Sequence, residues 1–278
     1  MRFFGRPLTT GEKALFANAS ARLESIIVGA VPPVDATGAD PASCGATGVA
    51  KLSETIDGLV IYASIDSIDG RNKILAEAGP CYIRTNNGQP DYRTSIGIIK
   101  IDSADISSLS GSGNLQEVIT HEMMHVVGFG TFWDTSSTNL LINYGANVSY
   151  IGAGGIAGCK AVGAVNTCAN SVPVEGSQGA EGTVNSHWRE STFDNELMTG
   201  FLNSGTNPLS VMSVRSLEDL NYTVNPAAAD KYPDANTHVL LNLRSVLDAG
   251  APPPVNAQAS EWERPLPHAV RALPLRSP

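Results

Sequence analysis

Two histidines with three residues between them are the first candidates for chemistry in this sequence. The run HEMMH occupies residues 121–125, inside a stretch predicted to be helical from about residue 114 to residue 127. Since each helical residue turns by about 100°, His121 and His125 lie on one face, one turn apart, and can reach a single ion. Imidazole nitrogens bind zinc at about 2.0–2.1 Å. The spacing therefore predicts a zinc site, with Glu122 beside it.

The residue types favour hydrolysis over a purely structural role. Zinc polarises a carbonyl and lowers the pKa of a bound water toward about 7. Glu122 suits a general base that takes a proton from water and later passes it to a leaving amine. The alternative, two histidines with structural roles on an ordinary helix, is disfavoured by the glycine turn that follows and the β-rich segment that precedes.

The predicted helix has recognisable ends. Asn114 and Glu117 have the spacing of a capping box, with Asn in place of the usual Ser or Thr. Gly128 and Gly130 suit a left-handed C-terminal cap. These signals fix the helix around the two histidines and make Gly128 a structural turn residue.

A catalytic zinc needs a third protein ligand. In one zinc pattern a glycine and then a histidine follow, three and six residues after the second histidine. Here Gly128 fits the glycine, but Thr131 occupies the position of the next histidine, and its hydroxyl is a poor zinc ligand. From the residues alone several candidates stay open: His187, His238, His268 and the acidic residues Asp134, Glu175 and Glu181.

The context of His187 carries a family resemblance. His187 lies in the run SHWRE, and the run ELMTG follows at residues 196–200. At these residues the sequence resembles the leishmanolysin family of metzincin zinc metallopeptidases, particularly its bacterial members, over roughly residues 95–225. The resemblance implies that His187 is the third ligand, after an insertion, and that Met198 is the Met-turn methionine. It also implies a zinc-dependent endopeptidase that acts on proteins or peptides.

The resemblance further implies an α+β, metzincin-type fold with an active-site cleft between two subdomains. Residues 1–130 would form an N-terminal subdomain with the zinc-binding helix, and residues 131–250 an irregular C-terminal one. The strand at residues 95–101 is expected at the edge of the cleft, where an extended peptide can pair with it. Residues 251–278 are rich in proline and are predicted to form a disordered tail.

Patterning predicts the other elements. Residues 12–28 and 207–222 have helical spacing of apolar residues, and residues 58–65 and 94–101 are strand-like. Residues 131–186 are expected to contain only short extended pieces.

Composition excludes several classes of protein. A net charge of −9 with 18 basic residues argues against nucleic-acid binding, and no apolar run is long enough to span a bilayer. Four cysteines, with the nearest-neighbour pairing Cys44–Cys81 and Cys159–Cys168, indicate an oxidising compartment. We therefore expect an extracellular or cell-surface protein whose signal peptide is not in this chain. The sequence does not indicate an oligomeric state.

Two weaker interpretations stay open. Residues 66–70 (DSIDG) faintly resemble a Ca²⁺ loop but lack the EF-hand spacing, so a solvated turn is favoured. A catalytically silent zinc-binding adhesion or interaction domain is the alternative function. Glu122 argues against it, because a structural site has no use for a base.

Overall fold

The computed structural model describes residues 1–179, 182–232, 260–261 and 270–275. The protein is a mixed α+β fold, as the sequence predicts. Its first 130 residues, here called the N-terminal region, contain the long strands and helices. These elements are β1 Arg2–Phe3, α1 Thr10–Ile26, β2 Val34–Asp35, β3 Thr55–Ile56, β4 Val60–Asp66, β5 Ala76–Asn86, β6 Gln89–Asp102, α2 Ile106–Ser112 and α3 Leu115–Val126, with a 3-10 turn at Pro41–Cys44.

Residues 131–232, here called the C-terminal region, form only short elements, of which the longest is a helix of nine residues. These are β7 Leu141–Ile142, β8 Ser149–Tyr150, α4 Ala153–Ala161, β9 Val172–Pro173, α5 Glu190–Phe193, β10 Phe201–Leu202 and α6 Val211–Ser216, with 3-10 turns at Leu217–Leu220 and Pro226–Ala228. Two further strands follow, β11 Ser260–Glu261 and β12 Arg271–Pro274. The short strands that the sequence predicts are present, whereas α4 is an addition to the prediction.

A five-stranded sheet with the order β1-β4-β6-β5-β12 organises the N-terminal region. Strand β5 runs antiparallel to β6, and the other pairings are parallel. The prediction that residues 95–101 form an edge strand is wrong, because β6 is hydrogen-bonded to a strand on each side. Both of its ladders are occupied, so a peptide has no free backbone edge there.

Alternating side chains of β4 and β6 cover both faces of this sheet, as the two-residue period of a strand requires. Ile61, Ala63, Ile99 and Ile101 join a core with α1 and α3 on one face. On the other face a smaller core contains the Cys44–Cys81 disulfide and a set of apolar residues: Val34, Tyr62, Ile96, Ile98 and Leu273.

The expected disordered tail needs a correction. Residues 271–274 form β12, which pairs in parallel with Tyr82–Thr85 of β5 and buries Leu273. An edge position tolerates the proline at 274, because only one side of an edge strand needs hydrogen-bond donors. Most of the remaining predicted tail lies outside the described residues.

Helix α1 begins with the capping box of Thr9 and Glu12 and buries Phe16, Ala19, Leu23 and Ile26. The predicted helix at residues 207–222 is shorter than expected. Ser210 caps α6, and the chain then tightens into the 3-10 turn at Leu217–Leu220.

Candidate metal centre

Helix α3 presents two of the predicted ligands, and its sequence explains how. Leu115, Val118, Ile119 and Met123 are buried and fix the helix against the core. His121 and His125 are one turn apart and at most 1% exposed. The predicted capping box is wrong, since the Asn114 side chain makes no cap hydrogen bond. The carboxylate of Glu117 instead accepts hydrogen bonds from Asn207, in the C-terminal region.

The glycine turn ends α3 as predicted. Gly128 has φ +101°, and its N–H and that of Phe129 bond back to the carbonyls of His125 and Met124, which is a Schellman arrangement. Gly130 also has a positive φ, +70°, and has a second reason to be glycine. A Cβ there would lie 2.2 Å from the carbonyl oxygen of Ser186. The turn after His125 therefore touches the backbone of the residue that precedes His187.

An aromatic cluster joins the same two segments. Trp188 is fully buried, and its ring lies 4.7 Å from Trp133 and 5.3 Å from Phe129, measured between centroids. Tyr150 packs on both tryptophans, at 4.7 and 5.4 Å. Because these rings are rigid and interlocked, the residue next to His187 has little freedom to move.

A buried carboxylate shapes the loop before His187. Glu175 is 2% exposed, and its Oε1 accepts hydrogen bonds from three consecutive backbone N–H groups, at residues 176–178, at 3.0–3.1 Å. Its own backbone N–H donates to the carbonyl of His187 at 2.9 Å. Glu175 thus stabilises the loop that presents His187, which differs from the zinc-ligand role left open by the sequence.

The three histidines converge on one point. The Nε2 atoms of His121 and His125 are 3.0 Å apart, and each lies 3.1 Å from Nε2 of His187. Two of these candidate ligands come from α3 and the third from the loop after residue 182. His187, like His121, is fully buried. The structure therefore brings together the triad that the family resemblance implied.

Backbone carbonyls orient all three rings. Nδ1 of His121 donates to the carbonyl of Leu197 at 2.7 Å, and Nδ1 of His125 donates to Phe129 at 3.0 Å. Nδ1 of His187 lies 3.2 Å from the carbonyl of Thr183 and 3.0 Å from the hydroxyl of Ser186, which donates its own proton to the carbonyl of Gly182. A carbonyl oxygen can only accept, so each Nδ1 carries the proton and each Nε2 presents a lone pair.

The electrostatics favour neutral imidazoles. Burial, followed by the neighbouring histidines, lowers the pKa of His121 well below its ordinary value. Burial and then His125 do the same for the pKa of His187, and burial lowers that of His125 to about 4. The neutral ring is the form that binds a metal ion.

This donor set fits a metal ion. Three lone pairs that face one another at 3.0–3.1 Å repel unless a cation lies among them. Tetrahedral zinc with Zn–N bonds of about 2.05 Å places its nitrogens about 3.3 Å apart, close to the observed spacing. Within the part of the chain that the structure describes, these histidines are the one group of three or more potential ligands. Asp66 and Asp69 do not belong to such a group, so calcium gains no support.

The other predicted site residues have distinct places. Glu122 follows His121 on α3 and is fully buried. Met198 is also fully buried and follows Leu197, the residue whose carbonyl orients His121. Asp134 lies apart from the triad and accepts a hydrogen bond from Tyr144. Three remaining candidates, Glu181, His238 and His268, lie outside the described residues.

Sequence reasoning does not find the residues that support the three histidines. The carbonyl of Leu197 carries no side-chain signal. Glu196 offered one, since a carboxylate inside the run ELM, between apolar neighbours, is expensive to bury without partners.

Both predicted disulfides are formed, Cys44–Cys81 and Cys159–Cys168, and the cysteine prediction is confirmed. Among the helices of the described residues, none is both long and apolar enough to traverse a bilayer.

Comparison with known proteins identifies the family. The sequence model of the leishmanolysin peptidases, family M8, matches residues 30–239 of the 278. The chain therefore belongs to the leishmanolysin family, which is a family of zinc-dependent metallopeptidases. No curated protein gives a significant match to the chain.

Proposed function

We propose that the chain is a zinc-dependent endopeptidase, with His121, His125 and His187 as zinc ligands and Glu122 as the general base. The observation that carries the proposal is the convergence of three Nε2 lone pairs at 3.0–3.1 Å, in a chain of a metallopeptidase family. The substrates are proteins or peptides, as the family implies.

Zinc at this site would supply Lewis acidity toward the scissile carbonyl and toward the attacking water. The protein supplies the orientation and tautomer of the three imidazoles and the general base. The buried carbonyl acceptors hold each imidazole in the tautomer with Nε2 unprotonated. Glu122, one residue from the first ligand, takes the proton of the water and returns it to the leaving amine.

Met198 is proposed as the Met-turn residue, an apolar group that packs near the ligands without binding the metal. Its burial and its position beside the Leu197 carbonyl support this role. Here we place the boundary between two subdomains at about residue 130, in the glycine turn that separates α3 from the C-terminal region.

The two disulfides support an oxidising location, and we propose that the protein acts outside the cell or at its surface. Recovery of both disulfides in protein isolated from the culture medium would support this, whereas recovery of reduced protein from the cytosol would contradict it.

Glu122→Gln is the decisive variant. The amide cannot take a proton, so casein or peptide hydrolysis should fall by at least about 10²–10⁴-fold. Zinc content, measured by elemental analysis, should stay at one ion per chain because the three histidines are unchanged. Glu24→Gln, on the exposed surface of α1, is the matched acid-to-amide control and should keep parental activity.

Each outcome has a clear meaning. Chelator-sensitive hydrolysis by the parent, lost in Glu122→Gln with zinc retained, supports the proposal. A parent that binds zinc but cleaves no protein or peptide substrate indicates the adhesion or interaction alternative. Parental turnover in Glu122→Gln overturns the role of Glu122.

A further inference from the structure

One fully buried carboxylate lies at the junction of the segments that orient two histidines. Glu196 is 0% exposed. Its Oε1 accepts hydrogen bonds from the backbone N–H of Ser210 at 3.0 Å and from the hydroxyls of Ser210 and Ser213 at 2.6 Å. Its Oε2 accepts from the backbone N–H of Met198 at 2.6 Å. Four donors around one carboxylate are enough to satisfy it in the core.

The first connection leads to His121. The Met198 N–H bond to Oε2 fixes the backbone around Leu197, whose carbonyl accepts from His121 Nδ1 at 2.7 Å. The N–H of Thr199 also bonds back to the Glu196 carbonyl at 3.1 Å and closes the turn. The position of the Leu197 carbonyl sets the tilt of the His121 ring.

The second connection leads to His187. The indole N–H of Trp188 donates to the hydroxyl of Ser213 at 2.8 Å, and that hydroxyl donates to Glu196. The backbone N–H of Trp188 also donates to the carbonyl of Met198 at 3.0 Å. The residue beside His187 is therefore held to Glu196 through both its ring and its backbone.

From these contacts we infer that Glu196 is a positioning residue of the metal centre, which sets the orientation of His121 and His187 together through the turn at residues 196–199 and the indole of Trp188. The inference rests on the proposed function, since it takes the three histidines to be zinc ligands. It adds a residue that touches neither ligand directly.

The chemistry of the carboxylate explains why glutamine would not replace it. The N–H groups of Met198 and Ser210 can only donate, and they bond to different oxygens of Glu196. A glutamine has one acceptor oxygen and one NH₂ group. One of the two N–H groups would then face another donor, and the turn would have to shift.

The test measures zinc affinity and the geometry of the metal site in Glu196→Gln. Zinc affinity is measured by competition with a chromophoric chelator. The visible spectrum of the cobalt-substituted protein reports the ligand geometry. Zinc Kd should rise about 10–100-fold, as for other residues that orient metal ligands, and the cobalt bands should change in position and intensity.

Asp102→Asn is the matched control. Asp102 is another fully buried carboxylate that accepts from backbone N–H groups, those of Asp69, Gly70 and Ala104, but it has no hydrogen bond to the histidine segments. It should lower stability and leave both zinc Kd and the cobalt spectrum at parental values. A general loss of stability would therefore not imitate the predicted effect.

A second variant decides the case if Glu196→Gln fails to fold. Ser213→Ala removes only the hydroxyl between the Trp188 indole and Glu196. It should raise zinc Kd by several-fold and shift the cobalt bands in the same direction. A folded Glu196→Gln variant with parental zinc Kd and cobalt spectrum would overturn the inference. If only Ser213→Ala folds, parental values in that variant would overturn it. A parent protein that binds no zinc would instead contradict the proposed function.

Discussion

The two regions of the molecule present their histidines by different physical means. In the N-terminal region, His121 and His125 depend on the helical repeat of α3, whose apolar side chains pack beneath a sheet. In the C-terminal region, His187 lies in a loop held by side chains that bond to backbone groups, chiefly Glu175 and Glu196.

The two regions differ in which groups form hydrogen bonds with the backbone N–H and C=O groups. In a helix or a sheet the partners are other backbone groups, supplied by any sequence with the right period. An irregular segment needs side-chain acceptors at individual positions, and each one is costly to lose. We therefore expect the metal ion to stabilise the C-terminal region more than the N-terminal one.

The largest expected effect comes from His187→Ala. With one of three ligands removed, zinc affinity should fall by more than the roughly 100-fold limit for orienting residues, and hydrolysis should be abolished. Hydrogen exchange should accelerate across residues 172–200, whereas β4 and β6 keep parental protection. His238→Ala, a histidine outside the zinc motif, is the matched control and should bind zinc as the parent does. Equal acceleration in both regions would break the comparison, and parental zinc affinity would exclude His187 as a ligand.

An intermediate effect is expected from removal of either disulfide, and each region contains one of them. Their sequence separations are 37 for Cys44–Cys81 and 9 for Cys159–Cys168. In the chain-entropy model these loops contribute about 4 and about 3 kcal/mol to the free energy of unfolding.

The two cysteine-to-serine double variants, compared by denaturant unfolding, test this order. Only loss of Cys159–Cys168 should also weaken zinc binding, because α4 packs against α6, which carries Ser213. A larger loss of zinc affinity from the Cys44–Cys81 variant would contradict the coupling of the second bridge to the segment that presents His187.

The smallest effect concerns Glu190, at the start of α5. Burial raises the pKa of its carboxyl to about 7, although Asn203 donates a hydrogen bond to it at 2.8 Å. Because the folded-state pKa is raised, the protonated carboxyl of Glu190 stabilises the folded state relative to the ionised carboxylate. That stabilisation is complete below about pH 4.5 and is lost as the pH rises through 7.

Glu190→Gln should remove that dependence. The variant should match the parent near pH 4 and exceed it by up to about 3 kcal/mol in free energy of unfolding at pH 8. Unfolding curves at both pH values measure the difference. A variant less stable than the parent at pH 8 would show that Glu190 is stabilising when ionised.

The sequence predicts the regular region better than the irregular one. Helix α1 follows from the spacing of its apolar residues, α3 from the signals at its ends, and strands β4 and β6 from their strand-like composition. Strand β5 does not follow from the sequence in this way, since Gly79 and Pro80 at its centre are unfavourable in a strand. In the structure both residues lie in the ladder with β6, Pro80 opposite Gly97, and register shifts follow around Tyr82.

The C-terminal region could not be derived from local patterns. Helix α4 has the sequence AGGIAGCKA, a poor helix former by propensity, and it exists because its glycines let α6 approach closely. A Cβ at Gly158 would lie 2.6 Å from the Cα of Met212. The third histidine was likewise predictable only through a family resemblance, since no spacing rule connects His187 with α3.

Strand β12 has a consequence for the order in which the molecule assembles. It completes the main sheet by pairing with residues 82–85, almost two hundred positions earlier in the chain. During synthesis the outer edge of β5 therefore waits, with its backbone groups open, until residue 274 has left the ribosome. An open edge of this kind can pair with another chain, so the interval is a period of aggregation risk. Slower translation of the last quarter of the chain should lengthen that interval and lower the yield of folded protein.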